Sequence, residues 1–291
     1  IEIHGYLWHD DDWCRTLGYD PSDCLKLRNP PAAGSDRLRQ SMLPGLLAAA
    51  NLNRHHLSEF RLMELGSVFP RGDGENIERR RIGIVTGVRG KSAEDGSLLE
   101  LKGVIEMWAS HVLSRSTTFH PTGVSPGRPW EHSAKTATVR IAGQDVGRVS
   151  AVPFELRRDI DEHLVAWSLA WAEIELDALA EMTEPVEKLS SIPAHPEVDI
   201  DFSVLVDATK CYADIATTIA EFSDPLLRRI TYVGSYEGKS VPAGKRSITL
   251  RARVGDQART LVDEDLTRFR EAFQAHLAKC GLEKREEGTG A

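Results

Sequence analysis

The chain has 291 residues, enough for two ordinary domains or one large one. Its 41% hydrophobic and 27% charged residues exclude a disordered or fibrous protein. A net charge of −8 excludes a global positive field for nucleic acid, so any RNA contact needs a local patch.

Cys14, Cys24, Cys211 and Cys280 are scattered and form no C-x-x-C pair, which argues against a zinc ribbon or a disulfide scaffold. They read as reduced thiols of a cytoplasmic protein. No apolar run approaches the roughly eighteen residues of a membrane span, so no membrane partner is expected.

In chain order, "IEIHGYLW" (1–8) alternates like a strand and carries neither an initiator Met nor a signal-peptide pattern. The sequence is therefore expected to start inside a domain, as a piece of something longer. "LRQSMLPGLLAAANLNRHHL" (38–57) places Leu43, Leu46, Leu47 and Ala50 at helical spacing after Pro44, a residue tolerated in a first turn. "EFRLMELGSVF" (59–69) and "RRRIGIVTG" (79–87) alternate as strands around the turn-rich "PRGDGEN". "LLELKGVIEMWASHVL" (98–113) predicts a helix with Leu101, Val104, Ile105, Trp108 and Val112 on one face. "AKTATVRIAGQDVGRVSAV" (134–152) predicts a hairpin turning at Ala142-Gly-Gln-Asp, and "AWAEIELDALAEM" (170–182) a strand entering a short helix. An antiparallel sheet with a few helices is α+β.

Three prolines break all periodicity in "EMTEPVEKLSSIPAHPE" (181–197), which divides the chain into domains at 1–185 and 190–291. The second begins with a strand over 198–206 and a helix over 213–222. Strands over 227–236 and 246–254 follow. A helix over 263–280 buries Leu266, Phe269, Phe273 and Leu277, and "LEKRE" (282–286) forms a last edge strand. The order β-α-β-β-α-β is that of the ferredoxin-like fold.

The stretch Gly234-Ser-Tyr-Glu-Gly238-Lys239-Ser240 looks like a phosphate-binding loop but has one residue too few between its glycines, and a strand follows it instead of a helix. Its glycines serve turns. The surrounding sequence is more distinctive. "YEGKSVPAGKRSITLRARV…RTLVDEDL" resembles the C-terminal anticodon-binding domain of the bacterial-type phenylalanyl-tRNA synthetase β subunit, in Tyr236 to Lys239, Val241 to Ser247 and Arg259 to Glu264. The first half resembles the same subunit in "LKLRNPPAAGSDRLRQSMLPGLLAAANLNRH", "FRLMELGSVF" and "LLELKGVIEMW".

The resemblance implies an inactive class II synthetase-like domain of antiparallel sheet, then a ferredoxin-like anticodon-binding domain. It also implies a catalytic α subunit as partner, tRNA-Phe as ligand and an α2β2 assembly that uses ATP and Mg²⁺, with no cofactor held by this chain. No catalytic residue is expected here. Pro70 follows Val68-Phe69, where the related catalytic subunit places its phosphate-binding Arg, and no G-x-G-x-G-x-E-R occurs. Without those cations the charge developing in adenylate formation has no preorganised partner.

The expected tRNA contacts are Tyr236, Lys239, Lys245, Arg246, Arg251 and Arg253, because single-stranded loops are read by stacking, edge contacts and cations. Thr249, Arg251 and Arg253 should share the open sheet face while Ile248, Leu250 and Ala252 point at the helices. Two departures from the family pattern stand out: Gly234 replaces an Asp, and the first strand reads Pro196-Glu-Val-Asp199-Ile200-Asp201 in place of a segment with two arginines. Asp199 and Asp201 can then pair with Arg251 and Arg253. Residues 190–291 carry 14 Lys and Arg against 16 Asp and Glu, an adverse balance for phosphate-driven affinity.

These departures leave open a stand-alone paralogue that acts as a scaffold or interaction protein without tRNA specificity. Other motifs carry less. Adjacent His55 and His56 face different ways on a helix, and with no H-x-x-x-H pattern no metal site is expected. Ser133 beside His132 lacks a nucleophile elbow. "ERRRI" (78–82) reads as a solvated strand edge.

Overall fold

A strand that is apolar on both of its faces needs cover on both sides, and the first half of the chain supplies it with helices. The computed structural model describes the chain except for residues 32, 33, 35, 72–77, 91–95, 123–126, 183–192, 239 and 286–291. Two compact units result, Ile1–Glu187 and Lys188–Ala291.

Unit 1 is built on six antiparallel strands in the order β3 (Glu59–Val68), β4 (Arg79–Arg89), β8 (Trp167–Glu175), β7 (Gln144–Ala151), β6 (Thr136–Ile141), β5 (Thr117–Pro121). β8 shows the principle. Its Trp167, Leu169 and Trp171 join a core containing Leu43, Leu46, Leu47 and Ala50 of helix α2 (Leu43–Asn53). Its Ala170, Ala172 and Ile174 join a second core containing Leu101, Ile105 and Ala109 of helix α3 (Gly96–Val112). The period of two thus feeds one face of the sheet to each helix.

The hairpin turns at Ala142 and Gly143, both with positive φ (50° and 83°), which fits the twist of the strands it joins. At Gly147 a side chain would stand 2.2 Å from the Glu173 carbonyl of β8, so only glycine lets the two strands close there. The helix α5 (Leu176–Ala180) follows β8 directly.

Two expectations are corrected. Residues 1–7 make a single parallel bridge, Glu2 with Met63, and the strand there, β1, is confined to Trp8–His9, paired with β2 (Arg37–Leu38). The break comes at Gly5, whose N–H donates to the Glu64 carboxylate (3.2 Å) and not to a strand neighbour. On α3 the buried stripe is Ser97, Leu101, Ile105 and Ala109, while Val112 is exposed because the helix ends there. The short helices α1 (Asp11–Thr16) and α4 (Phe154–Ile160) and the strand β5 were not legible as elements. α1 is nevertheless signed by its N-cap, since Asp10 accepts from the Trp13 N–H at 2.8 Å.

Unit 2 runs β9 (Val198–Asp207), α6 (Tyr212–Ala220), β10 (Leu227–Tyr236), β11 (Lys245–Val254), α7 (Asp263–Lys279), β12 (Glu283–Lys284). The sheet order β10-β11-β9-β12 is antiparallel throughout and has the expected ferredoxin-like arrangement. Ile248, Leu250 and Ala252 meet Phe269, Phe273 and Leu277 of α7 and Ile215 and Ile219 of α6 in one core. Both helices therefore cover one face of the sheet and leave the other open. β10 and β11 join as a hairpin with Gly244 at φ 77°, so the next element after Gly238 is a strand and not a helix.

Candidate nucleic-acid interface

The open face of unit 2 takes its chemistry from strand parity. β11 presents Lys245, Ser247, Thr249, Arg251 and Arg253 to it, and register sets Arg251 against Asp201 and Arg253 against Asp199 of β9. Both pairs are bidentate: Arg251 donates to the two Asp201 oxygens at 2.7 and 2.8 Å, and Arg253 to those of Asp199 at the same distances. The guanidinium of Arg253 holds the Asp199 carboxyl below its ordinary pKa, and that of Arg251 does so for Asp201. Each pair stands about 40% exposed, so it organises the face more than it stabilises the fold. Beside them the Ser203 and Thr249 hydroxyls lie 3.0 Å apart.

At the far end of β10, Tyr236 is half exposed and lies opposite Ser247. The Arg285 guanidinium stands 5.3 Å from the centre of its ring, within cation–π reach. The same guanidinium donates to Ser240 Oγ at 2.8 Å and reaches Ser247 Oγ at 3.5 Å. Arg285 is held from behind, since its N–H donates to the Ser203 carbonyl at 2.9 Å and so extends the β12 pairing. Gly238 leaves room for the ring: a side chain there would lie 2.3 Å from the Tyr236 hydroxyl and would have to displace it. The result is an aromatic face, a planar cation and two hydroxyls within one side chain's reach, which is equipment for a planar, hydrogen-bonding ring.

The sequence-derived residues divide. Tyr236, Lys245, Arg251 and Arg253 share the open face, and Lys245 is engaged by Glu283 at 2.9 Å. Arg246 is not brought to them. Its even position sends it toward the helices, where it donates to the Lys210 carbonyl at 2.6 Å and its Nε is buried without a partner among the described residues. Lys239 lies outside the described residues. Arg285 was missed: 49 positions separate it from Tyr236, and its only signal was strand parity with Ser203 in "LEKRE".

Unit 1 has a cleft of about 290 Å³, lined by Arg81, Arg128, Glu131, Arg148 and Glu173 among others. Glu173 accepts from Ser41 Oγ (3.1 Å), the Met42 N–H (2.7 Å) and Arg81 (3.0 Å). Buried Glu131 accepts from the Gly127 N–H (2.6 Å) and from Arg148. Arg128 lies over Tyr19 and Trp130. The carboxylates Glu131 and Glu173 are each engaged by an arginine and a backbone N–H, while Arg128 packs on aromatic rings instead.

Comparison with known families follows the same division. Residues 193–285 match the ferredoxin-fold anticodon binding domain, and residues 1–166 match the phenylalanyl tRNA synthetase beta chain CLM domain. The chain is 28% identical over 292 aligned residues to the phenylalanine–tRNA ligase beta subunit of Solibacter usitatus, covering 98% of this chain and 35% of that protein. It is 29% identical to the beta subunit of Moorella thermoacetica (93% and 33% covered) and 27% to that of Clostridium acetobutylicum (84% and 30%). It thus spans about a third of the length of the curated relatives it matches.

Proposed function

The chain belongs to the phenylalanyl-tRNA synthetase β-chain family, and on that premise we propose that it serves phenylalanine–tRNA ligation without making a bond itself. Unit 2 holds the anticodon region of tRNA-Phe on its open sheet face. Unit 1 supports a catalytic α subunit in an α2β2 assembly, and that subunit handles ATP and Mg²⁺. The observation that carries this reading is the Tyr236–Arg285 pair with Ser240 and Ser247 beneath it. A base enters by stacking on the ring and the guanidinium, while the exposed Ser240 hydroxyl meets its edge. Stacking of this kind is worth about 1–3 kcal/mol per base.

The test is a titration of the chain with tRNA-Phe and with an anticodon-loop variant at two salt concentrations. Binding should weaken when the anticodon changes, and Tyr236→Ala or Arg285→Ala should cost roughly 5- to 150-fold in affinity, the equivalent of one stacked base. Equal binding to both RNAs would reduce unit 2 to general RNA affinity and overturn the anticodon assignment.

A further inference from the structure

Binding a polynucleotide needs cations for its backbone as well as a stacking site. On the open face of unit 2 the arginines nearest the centre are already engaged, Arg251 by Asp201 and Arg253 by Asp199, each through two hydrogen bonds. Lys245 is held by Glu283. The centre of the sheet is thus close to electrically neutral, and phosphates gain little there.

Among the described residues Arg229 stands exposed on the edge strand β10 opposite Arg253, and a second group of cations lies over the β9 edge. β12 is two residues long and pairs only with Val204 and Leu205, and Arg285 adds one bond to Ser203. Beyond that point a groove of about 1200 Å³ opens between β9 and α7. Its wall includes Asp201 and Ser203 on the sheet side, Arg270 and Gln274 on the helix side, and Lys284 and Arg285 at the β12 end. Arg270 and Lys284 are exposed, and no ion pair engages either among the described residues. Arg285 belongs to both places: its guanidinium stacks on Tyr236 while its side chain lines the groove. The groove is therefore continuous with the stacking site and carries the opposite charge to a phosphate chain.

We propose that this groove is the track for the sugar–phosphate backbone of the RNA strand whose base occupies the Tyr236–Arg285 site, with Arg270 and Lys284 as its phosphate contacts. The assignment rests on the tRNA-binding reading above. It places the strand over the β9–α7 edge and leaves the paired arginines of the sheet to shape the surface.

The experiment measures the affinity of the 291-residue chain for fluorescent tRNA-Phe across a salt series, comparing R270Q/K284Q, the charge-preserving R270K/K284R, and R229Q on the opposite edge strand. Each lost phosphate contact lowers the slope of log K against log salt by about 0.7 for a single strand. R270Q/K284Q should lower it by about 1.4 and weaken binding at least about tenfold at low salt, while R270K/K284R and R229Q keep the parent slope. Tight binding with an unchanged slope in R270Q/K284Q, or a slope lost in R229Q instead, would overturn the track and leave the stacking site standing. Failure of the parent chain to bind tRNA-Phe at all would overturn both.

Discussion

Single side chains in unit 1 carry electrostatic commitments that the fold must keep. Arg39 and Glu64 are buried together at 2.7 Å, and Arg39 also donates to the Ser67 carbonyl at 2.9 Å. Such a pair fixes geometry more surely than it adds stability, because desolvation offsets most of its attraction. His9 lies near it, buried edge-on to Tyr19, its Nε2 without a partner among the described residues. Burial, aided by the positive charge of Arg39, pushes its pKa down from 6.5 to about 4. The unfolded chain therefore takes up this proton first. The contribution of His9 to stability is complete above about pH 6.5 and is lost as the pH falls toward 4. Urea denaturation of the parent chain should show that loss, on the order of 3 kcal/mol. His9→Asn should remove the corresponding part of the pH dependence. An unchanged profile in that variant would place the sensitivity elsewhere.

At the scale of elements, the neighbouring β9 and β11 turn a change of two residues into a change of surface. Asp199 and Ile200 stand where the family pattern has two arginines, and antiparallel register delivers Asp199, and Asp201 beside it, each to an arginine. Because these pairs are exposed, D199N/D201N should leave the thermal midpoint essentially where it is. Its effect should appear in RNA binding. Two freed guanidinium groups become available to phosphates, and the salt slope for tRNA-Phe should steepen by up to about 1.4. A slope equal to the parent's would mean that the carboxylates do not restrain the arginines in solution. The pairing of the two strands was readable from the ferredoxin-like order, and the pairing of charges followed from it.

Over the whole molecule, each unit has cores of its own. Cores around α2 and α3 serve unit 1, and Phe202, Phe269 and Phe273 centre that of unit 2. Units with separate cores unfold as separate cooperative blocks. Phe273→Ala, which empties a fully buried position at a cost of about 3–5 kcal/mol, should lower one calorimetric transition and leave the other in place. A single transition that moves as a whole would show the two blocks to be coupled.

The sequence by itself determined the elements whose apolar period is uninterrupted: α2, β3, β4, β8 and every element of unit 2. It also determined the split of Ile248, Leu250 and Ala252 from Thr249, Arg251 and Arg253, since a period of two is a local property of one strand. Only the tertiary structure decided that Arg246 turns inward to Lys210, that Val112 lies at an uncovered helix end, and that residues 1–7 make one bridge. It alone brought Arg285 onto Tyr236. Each of these depends on what stands opposite a side chain, and contacts between residues distant in the chain are fixed by register and packing, which no local pattern encodes.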